Sequence, residues 1–364
     1  MINKLLVIDA LVYKKNKAFG YQEYLFNLLD YFFENRHQLK FEEIIILCEY
    51  SQMDDFSKYK QLFTINGFKV SNTLSRLIMQ MFIPYLLHLK KNDVILFTGN
   101  YSSLIKKTKH VLVVHDLLYL RKKLFPNFKM RLQRKIYIPK SISLADIVIA
   151  ISDFTKMDII RNIKASSNKP VYKIYNYFNF KKYSTAFESR VFNFKYFLCV
   201  SSSLYHKNLI TIIKAFEKYC FFHIEVDLSI VGSLGKGDVF LYYKKLSERV
   251  KQRIHFYSNI SNTDLAQLYM NCEAYISASY FEGLGMPVVE AMFFNVPLIL
   301  SDLEVFHEIT IGNASFFNPN SYEDLFKILD GKNGKEPINT KPLVLKYFSQ
   351  RNTSQKYIDL LNSL

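Results

Sequence analysis

The sequence predicts an α/β protein built from two doubly wound parallel sheets in consecutive domains. Strand-like apolar runs alternate with helical stretches along almost the whole chain, which is the pattern of βαβ units. The chain's 364 residues exceed what one ordinary core accommodates, and a hydrophobic content of 49% is enough to fill two cores. A polar, basic stretch at residues 180–194 interrupts the alternation, and we expect it to link the two domains.

The predicted strands define the extent of each domain. In the first domain we place them at residues 5–9, 43–47, 93–97, 110–114, 147–151 and 171–175. In the second domain we place them at residues 197–200, 226–231, 254–257, 274–279 and 297–301. The domains then span residues 1–180 and 195–345. Because ligands bind at the carboxyl ends of parallel strands, two such domains facing each other would form one central cleft.

Positive charge is concentrated in one segment of the first domain. The formal net charge is +16, and residues 117–145 contain no acidic residue. Basic and apolar residues are interleaved in that segment: Arg121, Lys122, Lys123, Lys129, Arg131, Arg134, Lys135 and Lys140 stand among Leu120, Leu124, Phe125, Phe128, Met130, Leu132 and Ile136. Such a mixture is typical of a helical surface that lies on anionic lipid, and a solvated basic face is the alternative.

The apolar runs are too short for membrane insertion. None reaches the roughly 18 to 20 uncharged residues of a membrane-spanning helix, and the first nine residues are typical of a buried strand rather than a signal peptide. We therefore expect a cytoplasmic protein that is peripheral on the inner face of the cell membrane.

The sequence lacks the patterns of disulfide and metal sites. Its four cysteines, Cys48, Cys199, Cys220 and Cys272, form no Cys-x-x-Cys pair and are typical of small buried thiols. The chain contains no Asp-x-Asp motif and no His or carboxylate cluster with metal-ligand spacing. We expect a reaction that requires neither a metal ion nor a cofactor.

The most informative segment is residues 281–292, Phe-Glu-Gly-Leu-Gly-Met-Pro-Val-Val-Glu-Ala-Met. It follows a predicted strand, and Gly283 and Gly285 allow a sharp turn with no Cβ against a ligand. Pro287 is the predicted first residue of a helix, because proline is favoured where the N–H would be unpaired. We expect the amides of residues 288–290 to point toward a bound anion.

Two carboxylates flank this turn. Glu282 lies on the loop and Glu290 lies one turn into the predicted helix, where they can accept hydrogen bonds from a sugar and from a ribose. The Glu-x7-Glu spacing with these glycines and proline, followed by Glu290-Ala291-Met292 and Asn295-Val296-Pro297, resembles the signature of the family 4 retaining glycosyltransferases (glycosyl transferases group 1). The resemblance implies the GT-B fold of two facing Rossmann-like domains, a nucleotide diphosphate sugar as donor, and a donor site that includes Gly283, Leu284, Gly285, Met286 and Pro287.

A lysine at a second strand-to-helix turn belongs to the same resemblance. In relatives, the lysine at the position of Lys207 binds the donor diphosphate, where an ammonium also stabilises the charge that grows on the leaving group. Many relatives carry Gly-Arg at the positions of Ser201 and Ser202, so one phosphate-binding cation is missing here. His206 precedes Lys207 where some relatives have arginine. We therefore expect the amides of residues 285–289 to carry more of the phosphate charge.

The first domain contributes two further candidates. Gly20 precedes a helix after the first strand, and the resemblance implies that its backbone approaches the diphosphate. His115 ends a strand beside Asp116, and in relatives this histidine reaches a hydroxyl of the transferred sugar; a histidine that caps the strand and is held by Asp116 is the alternative. In relatives the C-terminal helix, at residues 346–364 here, packs back on the first domain.

Together with these features, the resemblance implies a metal-independent, retaining glycosyltransferase with Glu282, His115 and Lys207 at its catalytic centre. The expected reaction moves a hexose, mannose or a related sugar, to a glycan or lipid-linked acceptor in bacterial O-antigen, capsule or exopolysaccharide synthesis. Its expected partners are the donor, the acceptor and an anionic inner-leaflet membrane, without nucleic acid. Two alternatives are a basic nucleic-acid-binding protein, which explains the charge but not the glycine loops, and a catalytically weak GT-B homologue that binds nucleotide.

Overall fold

The computed structural model describes residues 4–15, 19–166, 168–183, 194–331 and 338–364. The chain divides into two units, which we call unit 1 (Met1–Tyr177 and Tyr347–Leu364) and unit 2 (Phe178–Lys346). Most of the expected linker, residues 184–193, lies outside the described residues.

Unit 1 contains a seven-stranded parallel sheet with the order β3-β2-β1-β4-β5-β6-β7. Its strands are β1 (Leu5–Asp9), β2 (Glu43–Glu49), β3 (Thr64–Phe68), β4 (Val94–Phe97), β5 (Lys109–Val114), β6 (Ile147–Ala150) and β7 (Val171–Lys173). Four helices connect them: α1 (Phe19–Glu34), α2 (Thr73–Leu86), α3 (Phe128–Leu144) and α4 (Asp153–Asn162). The strand order reverses between β1 and β4, so this is the switch point at which doubly wound sheets bind ligands.

Helices α2, α3 and α4 cover the same face of this sheet. Ile83, Ile138 and Ile159, one from each helix, belong to the same buried cluster as Val7 of β1 and Ile95 of β4. Side-chain caps start the three helices. Asn72, Asn127 and Ser152 each accept a hydrogen bond from a first-turn amide.

Unit 2 contains a six-stranded parallel sheet with the order β10-β9-β8-β11-β12-β13. Its strands are β8 (Lys195–Val200), β9 (Val226–Val231), β10 (Ile254–Tyr257), β11 (Ala274–Ser277), β12 (Leu298–Ser301) and β13 (Ser315–Phe317). Its helices are α5 (Leu209–Phe222), α6 (Asp238–Lys245), α7 (Glu248–Lys251), α8 (Asn262–Asn271), α9 (Met286–Phe293), α10 (Glu304–Thr310), α11 (Tyr322–Leu329) and α12 (Lys341–Tyr347), the last of which runs to the unit boundary. The switch point here lies between β8 and β11.

The last helix, α13 (Ser354–Asn362), belongs to unit 1 and packs on α1. The Tyr24 and Tyr357 hydroxyls are hydrogen-bonded at 3.0 Å, and the Tyr31 hydroxyl donates to Gln355 Oε1 at 2.6 Å. The end of the chain therefore completes the unit in which the chain begins.

The prediction of two doubly wound, Rossmann-like α/β domains is confirmed. All eleven predicted strands are present, with ends shifted by no more than two residues. Two strands were not predicted, β3 and β13, and both lie at an edge of their sheet.

Candidate functional site

The switch point of unit 2 brings together two of the predicted site residues. Lys207 follows β8 and Glu282 follows β11, and these strands are neighbours in the sheet. Lys207 Nζ lies 2.6 Å from Glu282 Oε1, and the Ser279 hydroxyl donates to the same oxygen at 2.7 Å. The two charged side chains are 26% and 13% exposed, so the ion pair is shielded from solvent yet reachable. A cation and a hydrogen-bond acceptor thus stand side by side at the edge where such sheets bind ligands.

Asn208 holds the loop that carries Lys207, and sequence reasoning missed it. Its Nδ2 donates to the carbonyls of Ala278 and Pro319 at 2.9 and 2.8 Å, and its Oδ1 accepts from Thr211 at 2.8 Å. The residue is 3% exposed and has a left-handed backbone with φ of 53°, a conformation that asparagine tolerates better than most residues. In the sequence, this role is indicated only by the position of an asparagine between Lys207 and the start of the next helix.

A second set of contacts joins the same two loops. The Tyr280 amide donates to the His206 carbonyl at 2.7 Å, and the Tyr205 and Tyr280 rings stack at 5.9 Å. The loops after β8 and β11 are therefore fastened to each other directly beside the ion pair of Lys207 and Glu282.

Gly285 is the N-cap of α9 and has a left-handed backbone, with φ of 92°. A Cβ at this position would lie 2.8 Å from Cε1 of Phe306, so both the conformation and the space favour glycine. Helix α9 begins at Met286, one residue earlier than predicted, and Pro287 is its second residue.

The prediction that the α9 amides are open to an anion is wrong for Val288 and Val289. Both donate to the Gly285 carbonyl, at 2.9 and 3.3 Å, because the left-handed Gly285 turns that carbonyl into the first helical turn. Any amide contribution at this turn must come from residues before Val288. Gly283 and Met286 are half-buried and Leu284 is buried.

Glu290 is engaged by protein groups on both of its carboxylate oxygens. Lys182 Nζ lies 2.9 Å from Oε1, and the Tyr269 hydroxyl donates to Oε2 at 2.9 Å. The carboxylate is buried, as is the tyrosine, whose pKa is raised by burial and by the nearby Glu290 charge. Lys182 lies in a 3-10 helix, Phe180–Tyr183, that the sequence assigned to the linker, so its role was missed.

Ser202 lies in the loop after β8, which packs against a glycine-rich loop after β9. A Cβ on Gly232, whose φ is 145°, would overlap the Ser201 carbonyl oxygen. A Cβ on Gly235, whose φ is 62°, would overlap the Ser203 hydroxyl. The close packing of these loops explains both glycines.

In unit 1, His115 lies at the carboxyl end of β5, where it was predicted. Its Nε2 lies 2.8 Å from the Thr98 carbonyl and its ring packs against Tyr24 at 4.9 Å. Since a carbonyl only accepts, Nε2 carries the proton and Nδ1 is an acceptor. Burial lowers the pKa of His115, which keeps the ring neutral at pH 7. Asp116 does not bond the ring and instead accepts from the Leu118 amide at 2.9 Å.

Gly20 is the second residue of α1 and is exposed. A Cβ built there meets no atom within 4 Å, so packing within the protein does not demand glycine. The neighbouring Tyr21 bonds to the Thr98 hydroxyl at 2.5 Å and its ring lies 5.7 Å from that of His115. The helix start and the strand end that carry the two unit 1 candidates are therefore adjacent.

The described residues contain neither a metal-binding cluster nor a membrane-spanning helix. No set of three or more His, Cys, Asp or Glu side chains there is arranged to hold a metal ion. None of the helices described combines the length and the apolar character needed to cross a bilayer.

Comparison with known proteins identifies relatives of this chain. The family model "Glycosyl transferases group 1" matches residues 185–330. The chain is 28% identical over 287 residues to the O-antigen chain mannosyltransferase RfbU of Salmonella typhimurium, which covers 75% of this chain and 77% of that protein. It is 32% identical over 120 residues to the serotype-specific mannosyltransferase WbdA of Escherichia coli, over 32% of this chain and 15% of that protein.

Solved structures share the fold along the whole chain. Sucrose-phosphate synthase of Thermosynechococcus elongatus matches with a TM-score of 0.75 at 14% identity, covering 99% of each chain. HepE of Anabaena, solved with UDP, matches with a TM-score of 0.72 at 17% identity, covering 99% of this chain and 100% of that one. The fold is therefore that of the GT-B glycosyltransferases, as predicted.

Proposed function

We propose, from the match of residues 185–330 to the family model of the group 1 glycosyltransferases, that this protein transfers a hexose from a nucleotide diphosphate sugar to an acceptor in bacterial surface glycan synthesis. The relatives that act on O-antigen favour this setting and favour mannose as the transferred sugar. The observation that carries the proposal is the ion pair of Lys207 and Glu282 at the switch point of unit 2.

The donor would replace the ion pair with contacts of its own. Its diphosphate binds the Lys207 ammonium in place of the Glu282 carboxylate, and the hydroxyls of its sugar donate to Glu282. Lys207 also stabilises the charge that develops on the leaving phosphate. Ser279 donates to Glu282 Oε1 at 2.7 Å and orients the carboxylate during this exchange.

We propose that the transfer retains the anomeric configuration and requires no metal ion. The bond between the anomeric carbon and the phosphate oxygen breaks while the acceptor oxygen bonds to that carbon on the same face. The proton of the acceptor hydroxyl passes to the leaving phosphate oxygen. The neutral His115 in unit 1 offers Nδ1 as an acceptor for a sugar hydroxyl.

The ribose role assigned to Glu290 requires a rearrangement. Both carboxylate oxygens already have partners, Lys182 and Tyr269. Donor binding at this carboxylate would shift the Lys182 ammonium, which is half-buried among the Phe178 and Tyr183 rings.

The outer surface of unit 1 supports an acceptor presented at a membrane. On α3, Phe128, Leu132 and Ile136 are exposed at successive four-residue steps, and Lys129 and Lys135 flank this stripe. On α2, which covers the same face of the sheet, a second exposed stripe consists of Leu74, Ile78, Phe82, Tyr85 and Leu86. Apolar stripes with flanking lysines are the pattern of helices that lie in an anionic lipid interface.

The test of the enzymatic proposal begins with the donor. Screening UDP, GDP and their sugars by thermal shift identifies the nucleotide, since a ligand at 100 times its dissociation constant stabilises by about 2.7 kcal/mol. Glu282→Ala should nearly abolish transfer while the protein stays folded, and Glu248→Ala, an exposed glutamate of unit 2, should not. Wild-type turnover by Glu282→Ala would refute the assignment of Glu282.

Three further results decide between the proposal and its alternatives. Nucleotide binding without transfer would favour a catalytically weak homologue. Salt-sensitive binding of DNA or RNA without any reaction of a nucleotide sugar would favour a nucleic-acid-binding protein. Binding to anionic vesicles that does not weaken with salt would count against the electrostatic part of the membrane proposal.

A further inference from the structure

Two arginines from different helices of unit 1 converge on one buried tyrosine. Arg76 of α2 has its guanidinium carbon 5.4 Å from the centre of the Tyr101 ring. Arg134 of α3 interacts electrostatically with Tyr101, and its guanidinium lies over the Phe125 ring at 4.7 Å. Tyr101 is 7% exposed, whereas both arginines are half-buried. Both arginines therefore neighbour the same side chain, and both are partly accessible to solvent.

Neither arginine forms an ion pair with a carboxylate among the residues that the structure describes. Arg76 Nε is buried and has no hydrogen-bond partner. The Asp9 carboxylate, the acid that interacts electrostatically with Arg76, is fully buried and already accepts from Gln80 Nε2 at 2.5 Å and from the Leu11 amide at 3.0 Å. Arg76 thus has a buried acid nearby but no carboxylate bonded to it, and Arg134 has no ion pair among the described residues.

Arg121, another half-buried arginine of unit 1, has a carboxylate partner within the protein. Arg121 donates one hydrogen bond to each carboxylate oxygen of Asp158, both at 2.7 Å. This bidentate geometry is the usual way to satisfy a half-buried guanidinium. Arg76 and Arg134 lack such a partner, which indicates that their anion comes from outside the chain.

The position of the arginine pair in the fold agrees with ligand binding. Tyr101 follows β4 by four residues, and the switch point of unit 1 lies between β1 and β4. Asp116 is the other acid near Tyr101, and one of its oxygens accepts from the Leu118 amide. The site therefore lies on the edge of the sheet that also carries His115.

The chemistry of the anion follows from the surface around it. Arg76 is the single charged residue of α2, and the exposed apolar stripe of that helix begins at Leu74, two residues away. We propose that Arg76 and Arg134 form a phosphate-binding subsite around Tyr101 that holds the phosphate of a lipid-linked acceptor. The inference rests on the proposed function, because it identifies the acceptor of that transfer by its anionic, lipid-attached group.

The subsite can be tested by binding alone, without transfer. The probe is farnesyl phosphate, titrated by calorimetry into the full chain carrying Lys207→Ala, which removes the proposed donor-phosphate contact. Arg76→Gln and Arg134→Gln should each weaken binding roughly tenfold to a hundredfold, the usual effect of losing a charged hydrogen bond. Lys91→Gln removes an exposed charge from unit 1 outside α2 and α3 and should change binding less than about twofold.

Two further arms separate a built site from general attraction. Farnesol lacks the phosphate and should bind all variants equally, and Arg76→Lys, which keeps the charge, should retain part of the affinity for farnesyl phosphate. Vesicles of phosphatidylglycerol should bind Arg76→Gln and Lys135→Gln about equally, because bulk lipid attraction depends on total charge. If farnesyl phosphate fails to distinguish Arg76→Gln from Lys91→Gln, the subsite does not exist.

The proposed function is tested separately by nucleotide binding in the thermal-shift screen. Nucleotide-sugar transfer combined with unchanged farnesyl phosphate binding in both arginine variants would overturn the subsite and leave the glycosyltransferase assignment intact. Circular dichroism melts of each variant establish that a loss of binding is not a loss of folding.

Discussion

Replacing Asn208 with alanine should loosen the joint between the loops that carry Lys207 and Glu282. The change removes the donors to the Ala278 and Pro319 carbonyls. Leaving the buried Ala278 carbonyl unpaired costs about 2 kcal/mol and the half-buried Pro319 carbonyl about 1 kcal/mol. Alanine in the left-handed conformation adds about 1 kcal/mol. The expected loss in the free energy of unfolding is therefore about 4 kcal/mol.

Two companion variants separate these contributions. Asn208→Gly keeps the left-handed backbone at little cost and should lose about 1 kcal/mol less than alanine. Asn208→Asp still accepts from Thr211 but turns an anionic oxygen toward two carbonyl oxygens, so it should be at least as destabilised as Asn208→Ala.

The assay is urea unfolding, combined with hydrogen exchange of the α5 and β11 amides and with donor turnover. Exchange in these two elements should accelerate in Asn208→Ala, and turnover should fall because Lys207 and Glu282 are no longer held at their 2.6 Å separation. An unfolding free energy within about 0.5 kcal/mol of the wild-type value would refute the reasoning.

Three other perturbations have defined outcomes. Burial lowers the pKa of His110 from 6.5 to about 4, so the unfolded chain binds its proton first as the pH falls, and folding should lose about 3 kcal/mol between pH 6.5 and 4. His110→Leu should flatten this dependence in urea titrations across that range. Gly285→Ala should lower the melting temperature and abolish transfer, because its Cβ would lie 2.8 Å from Phe306, and a second change, Phe306→Leu, should restore part of the stability. Lys182→Met should cost about 3 kcal/mol in urea unfolding, because it leaves the buried Glu290 carboxylate without its cation, whereas Lys182→Arg should stay close to wild type.

The central strands could be predicted because their residues are buried on both faces, whereas of the four edge strands β7 and β10 were predicted and β3 and β13 were missed. All four residues of β4, Val-Ile-Leu-Phe, are buried, so burial and sequence pattern agree. The missed strand β3, Thr-Ile-Asn-Gly-Phe, has no buried residue, and β13 has only three residues. An edge strand has a neighbour on one side and less apolar cover, so its sequence often lacks the continuous apolar run that identifies a central strand.

The candidate site shows a similar division. Strand ends and helix starts placed Lys207 and Glu282 near one another, because both positions follow from the strand pattern. The occupied amides of Val288 and Val289 could not be foreseen, since they depend on the φ of Gly285. The partners of Glu290 were equally hidden, because Lys182 lies 108 residues away in the sequence. A contact between side chains that are distant in the sequence produces no local sequence pattern from which it could be predicted.

The contact between Lys207 and Glu282 has a consequence for how the site would discriminate among small molecules. Before any ligand arrives, each charge satisfies the other. Inorganic phosphate could bind the Lys207 ammonium only by leaving the shielded Glu282 carboxylate unpaired. A free sugar could bind the carboxylate only by leaving the ammonium unpaired. A nucleotide sugar or a sugar phosphate supplies an anion and hydroxyls together, so such a ligand compensates both groups at once. The ion pair of the unliganded site would thus disfavour binding of inorganic phosphate alone and of a free hexose alone.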